Sequence, residues 1–200
     1  MALATYDDLK TAVANWSHRN DLLPVMDDLV LSAEAYIFQH VRARSMETAL
    51  SATVVGITAA VPSDYLGMRH AYMTIGGRRY TVETTTPDYI GKKYPASQSG
   101  IPAYAAVDRG SFVFGPSPSN GQVLEGTYYA KPAALASAVN AIFTECAPLY
   151  LFATLAELEP YTENDARVPL WIAKRDELIR GVNGNSDRAR FSGPLTAKVA

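Results

Sequence analysis

One change of texture divides this chain and limits what it can become. Over residues 46–130, Thr, Tyr, Val, Gly and Pro dominate, and turn signals recur about every eight to twelve residues. Before and after that stretch, apolar residues recur at helical spacing instead. The β-rich segment therefore reads as an insertion between two helical stretches that must pack together. This predicts an α+β fold: an antiparallel α-helical bundle (1–45 plus 131–185) with an inserted small antiparallel β domain (46–130) and an extended C-terminal arm (186–200). At 200 residues the chain is long enough to bury a substantial core.

In the first helical stretch, Thr5 with Asp8 three positions on predicts a capped start. Leu9, Val13 and Trp16 then fall on one face of a short helix ending near residues 17–20. Asp21 can cap a second helix, with Pro24 in its first turn. Its apolar face runs through Leu22, Met26, Leu29, Val30, Ala33, Ile37 and Val41, and Arg42 and Arg44 suit the C-terminal dipole. In the second stretch, Leu149, Leu151, Phe152, Leu155 and Leu158 make a helix that is apolar nearly all round, hence the buried one. Pro160 and Tyr161 end it, and Thr162 can cap the next, with Glu163 and Asp165 in its first turn. Pro169 predicts a kink or a restart there. Gly181, Gly184 and Gly193-Pro194 break the pattern, so the last twenty residues are expected to form a tail.

The predicted strands are Thr48–Val55, Met68–Ile75, Arg78–Thr84, Pro102–Val107, Phe112–Phe114 and Gln122–Ala130. Gly76-Gly77 predicts a tight hairpin, and Asp108-Arg109-Gly110 and Ser119-Asn120-Gly121 are further turns. Thr86-Pro87-Asp88 can open one short helical turn.

Charge excludes some functions. The net charge of −2 leaves no general basic field for holding nucleic acid. Residues 1–50 are net −3, whereas residues 181–200 are net +2 through Arg188, Arg190 and Lys198 against Asp187. A basic end on an acidic helical body suggests a docking tail. A single cysteine, Cys146, excludes an intramolecular disulfide framework and a multi-cysteine zinc site. No basic region followed by an apolar run opens the chain, and the weakly charged stretch 131–158 is broken by Asn140, Glu145 and Pro148. A soluble protein made in a cytoplasm, without membrane contact, is expected.

Catalytic signals are sparse. His18, His40 and His70 show no metal-ligand spacing, and there is no nucleophile elbow, phosphate-binding loop or dinucleotide fingerprint. Cys146 with His40 or His70 would make a nucleophile and base, but a lone cysteine among Ala, Phe and Leu is more simply a small buried hydrophobe. The pairs Asp7-Asp8 and Asp27-Asp28 lie early in helices, where the dipole explains them. No catalytic residue, cofactor or metal is expected. Tyrosine is the other signal: 12 Tyr against 6 Phe, many in the β stretch, offering area plus a hydroxyl for a polar protein interface or a sugar-binding face. Ordinary β-propensity explains part of that enrichment.

The order of pieces resembles the head-to-tail adaptor proteins of tailed bacteriophages, especially short-tailed ones. The resemblance runs through TYDDLKTAVANWSHRNDL, VRARSMET, VPSDYLGMRHAYM, SGIPAYAAVDRGSFVFGPSPSNGQVLEGTYYAKP and APLYLFATLAELEPYTENDARVPLWIAKRDELI to a basic end with RARFSGPL. It implies a non-enzymatic virion protein at the head–tail junction, assembled in the host cytoplasm. It also implies a self-associated ring, usually of twelve copies, between the portal protein and the tail nozzle protein. Genomic DNA would pass through without specific binding. The resemblance implies a C-terminal arm that reaches the portal, with Arg188, Arg190, Phe191, Pro194 and Leu195 its candidate contacts; tyrosine content and exposed turns predict that the β domain faces the tail, presenting Tyr94, Tyr104 and Arg109. A glycan-binding tail module and, less favoured, a hydrolase are the competing readings.

Overall fold

The computed structural model describes residues 3–95, 98–158, 161 and 166–190, and these divide into two compact units, 1–46 with 132–200 and 47–131.

In the second unit, seven strands close into a barrel: β1 (Glu47–Val55), β2 (Thr58–Ala60), β3 (Tyr65–Ile75), β4 (Arg78–Thr84), β5 (Tyr104–Asp108), β6 (Ser111–Gly115) and β7 (Val123–Ala130). Neighbours run β1-β2-β6-β5-β4-β3-β7 and back to β1. Six seams are antiparallel; β4 and β5 pair in parallel, Glu83 opposite Tyr104. A parallel seam needs a long crossover. The chain supplies one through the short helix Pro87–Lys93, which Thr86 caps by accepting a hydrogen bond from the Tyr89 amide.

This overturns the expected fold class. The β segment is a closed barrel with its own core, not a small antiparallel domain inserted in a helical bundle. Two physical reasons stand out. The β2 strand has three residues, too few to show a period, yet it joins β1 to β6 and removes an open edge. The parallel seam is set by a long-range pairing that no local pattern encodes. Leu50, Val54, Met73, Val82, Phe112 and Leu124 fill the interior. Where β3 bulges between Met68 and His70, Gly126 of β7 lies against the His70 carbonyl, leaving no room for a Cβ.

The other unit contains α1 (Tyr6–Ser17) and α2 (Met26–His40), preceding the Pro87–Lys93 helix, here α3, and then α4 (Ala141–Ala156) and α5 (Val168–Arg190). The Thr5–Asp8 capping box forms at the start of α1. Ahead of α2, residues Asn20–Val25 form a 3-10 turn containing Pro24, so α2 itself starts at Met26 rather than at an Asp21 cap. Asn140 caps α4, and its Oδ1 also accepts from the fully buried Tyr150 hydroxyl at 2.9 Å. The buried Glu34 accepts from the Leu135 amide at 2.8 Å. At Cys146 the backbone leaves helical angles (φ −149°, ψ 70°), two residues before Pro148, whose missing N–H breaks the ladder.

The last helix, α5, begins at Val168, so Pro169 falls in its first turn, where its missing N–H costs nothing. The expected extended arm from 186 is also corrected. The helix continues through Gly181 and Gly184 to Arg190. Tertiary contacts outweigh the two weak helix formers. Val182 and Ser186 are buried, Asn183 Nδ2 donates to the His40 carbonyl, and the Arg42 and Arg44 amides donate to Asn183 and Ser186. The proposed Thr162 cap, with Glu163 and Asp165, lies outside the described residues, as does everything beyond Arg190. Among the described residues no helix is long and apolar enough to cross a membrane.

Candidate interaction surface

Three tyrosines and a lysine converge where α3 meets the barrel. Tyr89 and Lys93 are one helical turn apart on α3, Tyr94 ends that helix, and Tyr104 opens β5. The Lys93 ammonium donates to the Tyr89 hydroxyl at 3.1 Å and to the Tyr104 hydroxyl at 3.0 Å. It also lies 4.3 Å from the Tyr104 ring centroid. Tyr89 and Tyr104 meet edge to face at 5.2 Å. The Lys93 hydrogen bond, then that of Tyr89, holds the Tyr104 phenol below the ordinary tyrosine range. The same two hydroxyls keep Lys93 above the ordinary lysine range.

Tyr94 is fixed from below, its ring lying over Gly115 of β6. Beside it a shallow cavity of about 140 Å³ opens between Ile57, Ile90, Tyr94, Val113 and Phe114. Val55, Ile57, Ile101 and Val107 are exposed in this unit, so its surface carries apolar as well as phenolic area.

Of the residues the sequence singled out, the structure brings Tyr94 and Tyr104 together, their ring centroids 6.5 Å apart. Arg109 is elsewhere: it sits past the far end of β5 in the β5–β6 turn, with φ 46° followed by Gly110 at φ 75°. Lys93 is the residue that sequence reasoning misses here, although its i, i+4 spacing from Tyr89 after a Thr-Pro helix start is a signal. Other tyrosines serve the barrel instead. Tyr65 stacks on Tyr128 and meets Phe112 edge to face, and the Tyr128 hydroxyl donates to Asp64. Arg188 is exposed on α5; Arg190 is its last residue, and Phe191, Pro194 and Leu195 lie outside the described residues.

Cys146 is half-buried at the α4 kink, and burial pushes its thiol up. His40 is exposed, stacked on Tyr36 at 4.1 Å, with Nδ1 against the Tyr36 carbonyl. Among the described residues no group of three His, Cys, Asp or Glu side chains is placed to hold a metal ion.

Residues 4–198 match the family model described as SU10 adaptor protein. The chain belongs to the SU10 adaptor protein family. Its role is accordingly that of a structural head–tail adaptor, a component of a phage virion. No curated protein matches the chain.

Proposed function

We propose that this adaptor forms a ring, usually of twelve copies, that joins the portal protein to the tail nozzle of a short-tailed phage. The family match over residues 4–198 carries this reading. In it, the Tyr94–Tyr104 surface and the Arg109 turn meet the nozzle. Arg190, Phe191, Pro194 and Leu195 dock on the portal, the apolar side chains as anchors and the arginine at the rim. The chain turns over no substrate. Its net charge of −2 lets genomic DNA slide past a ring wall without being held.

The test is a phage that cannot make this protein, examined by electron microscopy of its particles. DNA-filled or emptied heads lacking tails, rescued by supplying the chain in trans, are expected. Complete tailed particles without it would overturn the proposal.

A further inference from the structure

The helical unit carries opposite charge at its two ends. At one end, the starts of α1 and α2 come together: the Tyr6 hydroxyl donates to Asp27 at 2.8 Å, and Lys10 reaches Asp27 and Asp7, each at 3.3 Å. Beside them lies a cavity of about 240 Å³ lined by Asp27, Asp28, Val30, Leu31 and the buried Glu34. Leu31 is 61% exposed on the outward face of α2. Lys10 reaches Asp7 and Asp27 but not Asp28, so this end is acidic with an apolar centre.

The other end is where α2 finishes and the last turns of α5 are fastened. Asn183 holds the His40 carbonyl and the Arg42 amide, and Ser186 holds the Arg44 amide. Arg44 and Arg188 are exposed there. Of the acidic groups at this end, Glu145 is engaged by the Ser45 hydroxyl at 2.8 Å, and Asp187 adjoins Arg188 in sequence. Arg44 and Arg188 are the exposed positive charge that this end presents.

These two ends cannot meet within one molecule. The α2 helix separates Asp27 from His40 by about thirteen residues, roughly 20 Å at about 1.5 Å per residue. Arg188 lies on α5 itself. We infer that the Arg44–Arg188 end of one copy docks on the Asp27–Asp28–Leu31 face of the next. This rests on the ring reading above and names its contact. Two different complementary patches make a heterologous interface, the kind that closes into a ring. Because the pairs are exposed, the contact weakens as salt rises.

The experiment is sedimentation velocity on the full chain across a concentration series, at low and at high salt. The variants are Asp28→Arg, Arg188→Asp and the two combined; both residues are exposed, and circular dichroism verifies that each variant is folded. The wild type should associate at low salt and dissociate at high salt. Each single reversal should weaken association by about tenfold or more, and the double reversal should restore it. A wild-type chain that stays monomeric throughout overturns the inference. So does a double variant no tighter than the singles, the result expected if these ends meet other virion proteins. Rescue of tail attachment by such a non-associating variant would leave the adaptor reading standing while this contact fails.

Discussion

The Tyr94 ring lies over Gly115 so closely that a Cβ at position 115 would sit 2.6 Å from its Cδ2. The glycine is thus a platform for the aromatic surface, and the surface cannot survive its loss unchanged. Gly115→Ala should cost about 1–3 kcal/mol, the usual range for forcing an extra methyl into a packed site. Chemical denaturation measures this. Tyr94 fluorescence or NMR shifts should move with it, whereas an unperturbed Tyr94 would contradict the packing.

Gly184 supports the opposite expectation. It lies inside α5, its φ is not in the left-handed region, and a Cβ there would meet nothing within 4 Å. Gly184→Ala should stabilise the helical unit by about 0.5–1 kcal/mol, through helix propensity and a less flexible unfolded chain. Thermal unfolding tests it. If residues 181–190 were an extended arm, the substitution would leave the midpoint where it was.

The contrast between these two glycines shows what the sequence disclosed. The capping box at Thr5–Asp8, the hairpin at Gly76-Gly77 and the buried character of α4 depend on neighbours within a few residues, and so they were legible. Gly184 read as a breaker because the contacts that hold it in a helix, Asn183 and Ser186 on the 40–44 backbone, come from far along the chain. Barrel closure through β2 and the parallel β4–β5 seam are long-range in the same way. At the candidate surface, tyrosine content pointed to the barrel but could not separate Tyr65 and Tyr128, in its core, from Tyr94 and Tyr104, beside Lys93.

The Lys93–Tyr104 pair has a spectroscopic signature. The ammonium favours the phenolate, so Tyr104 should ionise at lower pH than an ordinary tyrosine, while burial delays Tyr150 and desolvation delays Tyr65. In an ultraviolet titration, the first phenolate absorbance should therefore belong to Tyr104. Lys93→Met removes the main cause and should return that early phase to the ordinary range. An unchanged curve would show that the pair does not form in solution.

Cys146 should prove structural. Burial raises its thiol, so it should react slowly with a maleimide or a disulfide reagent near neutral pH. Cys146→Ala should cost about 1 kcal/mol, a typical value for a small change beside a core. Particle assembly and infectivity should continue. A folded variant devoid of all function would argue for chemistry at this sulfur.

The most direct measurement is the mass of the purified chain alone and mixed with purified portal protein, by native mass spectrometry. Saturable binding of a ring of about twelve copies on the portal is the expected result. A chain that never binds the portal, at any ratio, would contradict its role as the adaptor between head and tail.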